Sequence, residues 1–268
     1  MVLLRVLIAL IALLLSTVRL AAAAQPEDFY SSVAIVTGQG IENRQPGFRD
    51  CLDRVLVRVS GDPRLPGLPA LAELRRHAGD FVKSFSYHDR LSGRPIHDEQ
   101  GTYDRPHDLT CRYDPQVING LLAQLGSHPW RGKRPRFTIF LAVERNGQKF
   151  RLSSDNPRDE AMREAFAAAA TPLNLQLAFP PADVVEKLDV TGDVVSPKLT
   201  DAAKKAGGDR ALTGTLIWSD RDLGWVAIWR LAENGKAYAW TVRGVNFDDA
   251  FRVALNGAVQ ILSGNGSP

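Results

Sequence analysis

The sequence predicts an α+β protein of two small domains, each an antiparallel or mixed sheet with helices packed on one face. Three observations carry this. Short runs of β-branched and alternating residues are interleaved with amphipathic helical stripes in both halves. Asn146-Gly147 and Asn234-Gly235 stand between alternating runs, as hairpin turns do. Between the halves, "SHPWRGKRPR" (Ser127 to Arg136) gathers Pro129, Gly132 and Pro135 with four cations, the composition of a boundary. The expected division is 1–24 as a signal peptide, 25–128 as an N-terminal domain, 129–136 as a linker and 137–268 as a C-terminal domain.

Met1 to Arg5 is a short positive end, Val6 to Val18 is an apolar run, and Ala21 to Ala24 offers small residues for a signal peptidase. The run is short for a membrane span, so export with cleavage after Ala24 is the expectation, to the periplasm and with no transmembrane segment in the mature protein. Loss of Arg5 and Arg19 takes the formal charge from +3 to +1. A near-neutral chain has no general electrostatic affinity for nucleic acid. With 44% apolar residues there is ample material for buried cores.

In the first half, Phe29 to Gln39 reads as a strand. In "PGFRDCLDRVLVRVSGDP", Phe48, Cys51, Leu52, Val55, Leu56 and Val59 form one helical stripe that Gly61 and Pro63 end; Pro46-Gly47 is expected to delay its start. "PALAELRRHAGDFVKSF" continues as helix, broken at Gly79, and leads into a strand near Val82 to Asp89. A second strand follows at Asp108 to Tyr113. Asp114 then caps a helix with Pro115 at its first position and Gly126 at its stop. The order is β-α-α-β-β-α.

In the second half, "FTIFLAVERNGQKFRLS" is a hairpin and "DNPRDEAMREAFAAAA" a helix capped by Asn156. "LNLQLAF" is a short strand, and Ser196 to Lys205 a helix ending at Gly207-Gly208. "RALTGTLIWS", "GWVAIWRLAE" and "KAYAWTVRG" form a meander. Phe247, Phe251, Ala254, Leu255, Ala258, Ile261 and Leu262 make an amphipathic closing helix.

Several phrases resemble a bacterial family known as domain of unknown function 2066: "VLVRVSGDPRL", "FVKSFSYHDR", "LTCRYDPQVINGLLAQLG" and "HPW…KRPRFTIFLAV". The resemblance covers most of the mature chain. It implies an exported, periplasmic envelope protein and transfers no catalytic residue.

The two cysteines, Cys51 and Cys111, lie in the exported part, where an oxidising compartment favours a disulfide. Cys51 is on the apolar stripe and faces the core, within reach of a strand residue such as Cys111. Three His-Asp dipeptides, at His88, His97 and His107, fit a long, polar, solvated hairpin best, with a metal-dependent hydrolase built on that hairpin as the alternative. Adjacent residues on a strand point to opposite faces, so only His88 and His107 are plausible partner ligands, with His97 in the connecting loop. "VAIVTGQGIENRQPG" lacks the third glycine of a dinucleotide loop, and no Gly-x-Ser-x-Gly elbow occurs.

Trp130, Arg131, Lys133, Arg134 and Arg136 could meet an anionic lipid or polysaccharide, although a solvated linker fits them better. Trp218, Trp225 and Trp229 could form a glycan or peptide platform, with core packing under the closing helix the stronger expectation. The expected function is non-enzymatic, a binding or assembly module with no cofactor. Its expected partner is an envelope protein or cell-wall component.

Overall fold

The computed structural model describes residues 29–93 and 105–268. The first sheet has the order β1-β3-β2 and is antiparallel, with β1 Ser31–Thr37, β2 Val82–Asp89 and β3 Pro106–Tyr113. Helix α1 (Ile41–Ser60) lies on one face and buries the expected stripe, Phe48 through Val59. It starts at Ile41 rather than after Pro46. Proline in its second turn forgoes one helical hydrogen bond without ending the helix. Helix α2 (Pro69–Arg76) and α3 (Pro115–Gln124) complete this half, and Asp114 caps α3 by accepting from Gln116 N–H at 2.8 Å. Ala34, Val36, Leu109, Ile118 and Leu122 join the α1 stripe in one buried core.

The second sheet is mixed, with the order β5-β4-β7-β8-β9. Its strands are β4 Arg136–Arg145, β5 Gln148–Arg151, β7 Arg210–Ser219, β8 Gly224–Glu233 and β9 Lys236–Val245; β6 (Gln176–Ala178) runs parallel to β4. β4 and β7 are parallel neighbours, and β7-β8-β9 is the expected antiparallel meander. Helices α4 (Glu160–Ala170) and α7 (Phe247–Leu262) pack on one face. Phe166 stacks on Phe251 at 3.8 Å between centroids, and both meet Trp229 edge-on. The opposite face is partly covered by residues 182–205, which carry the one-turn α5 (Ala182–Val185) and α6 (Pro197–Lys205). Phe140, Val185, Val190, Leu199, Ala203 and Ala211 form a small separate core there.

The tryptophan platform is not available at the surface. Trp229 is fully buried, and Trp225 and Trp240 are 6% exposed. Closeness explains it: a Cβ at Gly214 would lie 2.1 Å from the Trp229 ring, so glycine is what lets that indole lie flat on β7. Trp218, half-buried, meets Trp225 edge-on with Arg145 above it.

The linker is solvated at Arg131, Gly132, Lys133 and Arg136 but packed at Trp130, Arg134 and Pro135. A helix leaves its last four carbonyls without intrahelical donors, and the groups that answer those of α1 come largely from beyond the first half. Gly61 N–H returns to Val57 O. Arg134 Nη2 donates to Arg58 O at 2.6 Å and Trp130 N–H to Val59 O at 2.9 Å. Asn265 Nδ2 donates to Ser60 O at 3.0 Å and Ser263 Oγ to Gly61 O at 3.1 Å. From the helix side, Arg58 Nε reaches Pro172 O at 2.8 Å. The Arg134 guanidinium lies 3.6 Å from the Trp130 ring centroid and 4.8 Å from that of Phe29. Burial, then the Arg58 charge, pushes it down to about 10.

Gly61 closes α1 in the left-handed region (φ 71°), and a Cβ there would lie 2.7 Å from that of Ser263. Gly61→Ala should cost roughly 1–3 kcal/mol from backbone strain alone, with displacement of the second half added. Gly126→Ala has the same φ problem (72°) but open space around it, so it should cost visibly less. Urea unfolding of both variants checks this, and equal losses would contradict the close approach.

Candidate functional site

The hairpin histidines lie on opposite faces of the first sheet. Register pairs His88 with Asp108 and His107 with Asp89, so each His-Asp couple is built across strands. His88 is 75% exposed in its side chain, with Nδ1 4.0 Å from Asp108 Oδ2. His107 is buried on the α1 side, where its ring meets Tyr87 edge-on at 6.0 Å. Its Nδ1 is 2.7 Å from Arg105 O, which can only accept, so Nδ1 carries the proton. Nε2 then accepts from Gln39 Nε2 at 3.1 Å. Both nitrogens are engaged, and no lone pair is left for an ion shared with His88. This corrects the expected pairing of the two. His97 lies outside the described residues. Among the described residues no group of three or more His, Cys, Asp or Glu side chains converges for a metal.

Cys51 and Cys111 are brought together, as thiols. Both are fully buried, on α1 and β3. Cys51 Sγ lies 3.6 Å from Leu109 O and 3.7 Å from Ser32 O. The hydrogen bond from Cys111 draws the Cys51 thiol down, while the same bond and then burial push Cys111 far up. Both sulfurs are enclosed in the core, which leaves neither an accessible nucleophile.

The basic run divides. Arg131 and Lys133 are exposed, whereas Trp130 and Arg134 turn inward to cap α1. Arg136 opens β4, its N–H donating to Asp209 Oδ2 at 2.9 Å. The five residues therefore do not form one surface.

An open groove of about 590 Å³ runs between α5 and α6. Pro180, Pro181, Val184, Leu188, Ala202 and Ala206 make it apolar, and Lys187, Lys198 and Lys205 rim it with Asp183 and Asp201. Lys187 is 3.9 Å from Asp183. Size and lining fall in the range of ligand and peptide pockets. Sequence reading missed it because α5 has a single turn with no helical period to detect. "PPADVVEKL" held the signal, a proline-started turn followed by spaced apolar residues.

Fold and site together define a mixed α/β protein with a surface groove. No helix among the described residues is long and apolar enough to cross a membrane. Residues 23–131 match the model of a family described as Domain of unknown function (DUF8605). That is the first half with the start of the linker, so the match supports an uncharacterised domain family there. No curated protein and no solved structure matches the chain.

Proposed function

We propose that this is a non-enzymatic binding module of the bacterial envelope, exported by its first 24 residues and held in the first half by a Cys51–Cys111 disulfide. The bacterial and periplasmic parts of this reading rest on the likeness to domain of unknown function 2066 and on the leader-like composition of residues 1–24. The groove between α5 and α6 is the observation that carries binding. Its occupant is an apolar segment of a partner protein flanked by acidic residues. The apolar floor takes the segment, and the lysine rim, three cations against two carboxylates, selects the flanks.

A photo-cross-linking residue in place of Lys198 tests this in living cells. One partner carrying an acid-flanked apolar segment should be captured saturably. Ala202→Trp, which fills the floor, should lower the yield at least about tenfold, the effect of losing ~1.4 kcal/mol. Capture unaffected by Ala202→Trp, or no saturable capture, would refute the groove as the seat.

The disulfide has its own test. Protein recovered without reductant and then denatured should titrate no free thiol. Reduction should lower stability by roughly 4 kcal/mol, from a closed loop of about 60 residues. Two titratable thiols in the unreduced protein would refute the bond.

A further inference from the structure

Arg230 lies in the middle of β8, where Trp229 and Leu231 face the main core and the arginine faces the other side. Directly opposite it in the β7–β8 register stands Thr213. Both are enclosed, at 7% and 1% exposure. Neither Arg230 Nη1 nor Thr213 Oγ1 has a hydrogen-bond partner among the described residues. The Asp193 carboxylate lies 4.0 Å from Arg230 Nη2, beyond hydrogen-bonding reach, and its side chain is wholly in solvent. A buried guanidinium that lacks a bonded counter-charge is an unbalanced desolvation, and so is an unanswered hydroxyl beside it. Cross-strand neighbours have Cβ atoms about 5 Å apart, so one planar acceptor can span both.

A cavity of about 260 Å³, whose lining does not include Thr213 or Arg230, opens on the same face of the sheet. Thr215 in its wall is the next residue after Thr213 on that face of β7. Thr191, also in the wall, is two residues before Asp193 on the covering segment. Arg151 lines it too, held by Glu186 at 2.7 Å but with its Nε buried and unpartnered. The covering segment is held down by Val190, 1% exposed, while Val194 is 57% exposed and Asp193 fully so.

We propose that Thr213 and Arg230 are the seat for one carboxylate of a small dicarboxylic acid, with Arg151 at the cavity wall receiving the other. One carboxylate oxygen accepts from Arg230 Nη1 and its mate from the Thr213 hydroxyl, the planar pairing that guanidinium favours. Because the orphan atoms are sealed from solvent, residues around Asp193 lift to admit the ligand, and Asp193 gives up its loose approach to Arg230. The proposal does not use the α5–α6 groove, so Ala202→Trp should leave it intact and the two readings fail separately.

Thermal unfolding of the full chain against succinate, acetate and inorganic phosphate at constant ionic strength tests it. Succinate should raise Tm saturably and more than acetate or phosphate. Arg230→Met should abolish the rise, Thr213→Val should weaken binding about tenfold, and Asp193→Asn should preserve it. If Arg230→Met does not fold, Thr213→Val and Arg151→Met carry the comparison. No saturable succinate effect, one unchanged in Thr213→Val and Arg151→Met, or saturation by phosphate alone would overturn the assignment.

Discussion

The carbonyls at the C-terminal end of α1 hold this molecule together. From Arg58 to Gly61, each is answered by a donor from the linker or the last residues of the chain. A made hydrogen bond adds only about 1 kcal/mol net, but a buried carbonyl left without its donor costs about 1–3 kcal/mol. Separating the halves would orphan several at once and open the Arg134 stack on Trp130 and Phe29. Two sheets with separate cores should therefore unfold as one cooperative unit.

That junction divides rigid surfaces from yielding ones. The face of the second sheet that carries α4 and α7 is welded to the first half through Arg58, Ser263 and Asn265. The opposite face has a thin cover of short helices on a core of six buried residues. Local opening is easiest where few apolar contacts hold a segment down. The lysine-rimmed groove belongs to this cover, and the Thr213–Arg230 pair lies on the sheet face that Asp193 of the cover approaches. The family match ends at residue 131, so it includes Trp130 but none of the capping side chains Arg134, Ser263 and Asn265.

Much of the fold was legible in local pattern. The α1 stripe, the Asp114 and Asn156 caps, the meander and the closing helix all depend on residues a few positions apart. What was hidden depends on register or on long-range partners. His88 and His107 fall on opposite faces because His88 pairs with Asp108; a one-residue slip would have put them together. Of the four cations around Trp130, Arg134 departs from the solvated linker because no local signal announces that it will cap a helix some 75 residues earlier in the chain. Pro46 pointed to a helix boundary that the packing of α1 overrides. At the candidate sites, the arginine between Trp229 and Leu231 was a visible anomaly, but its partner Thr213 required the β7–β8 register.

Cooperativity across the junction is most directly read by native-state hydrogen exchange at increasing urea. If the capped carbonyls unite the halves, the slowest amides of α1 and of β7 and β8 will share one global opening free energy and one urea dependence. Should α1 merge into a separate, lower-energy opening while β7 and β8 stay protected, the halves are independent and the account of the junction is wrong.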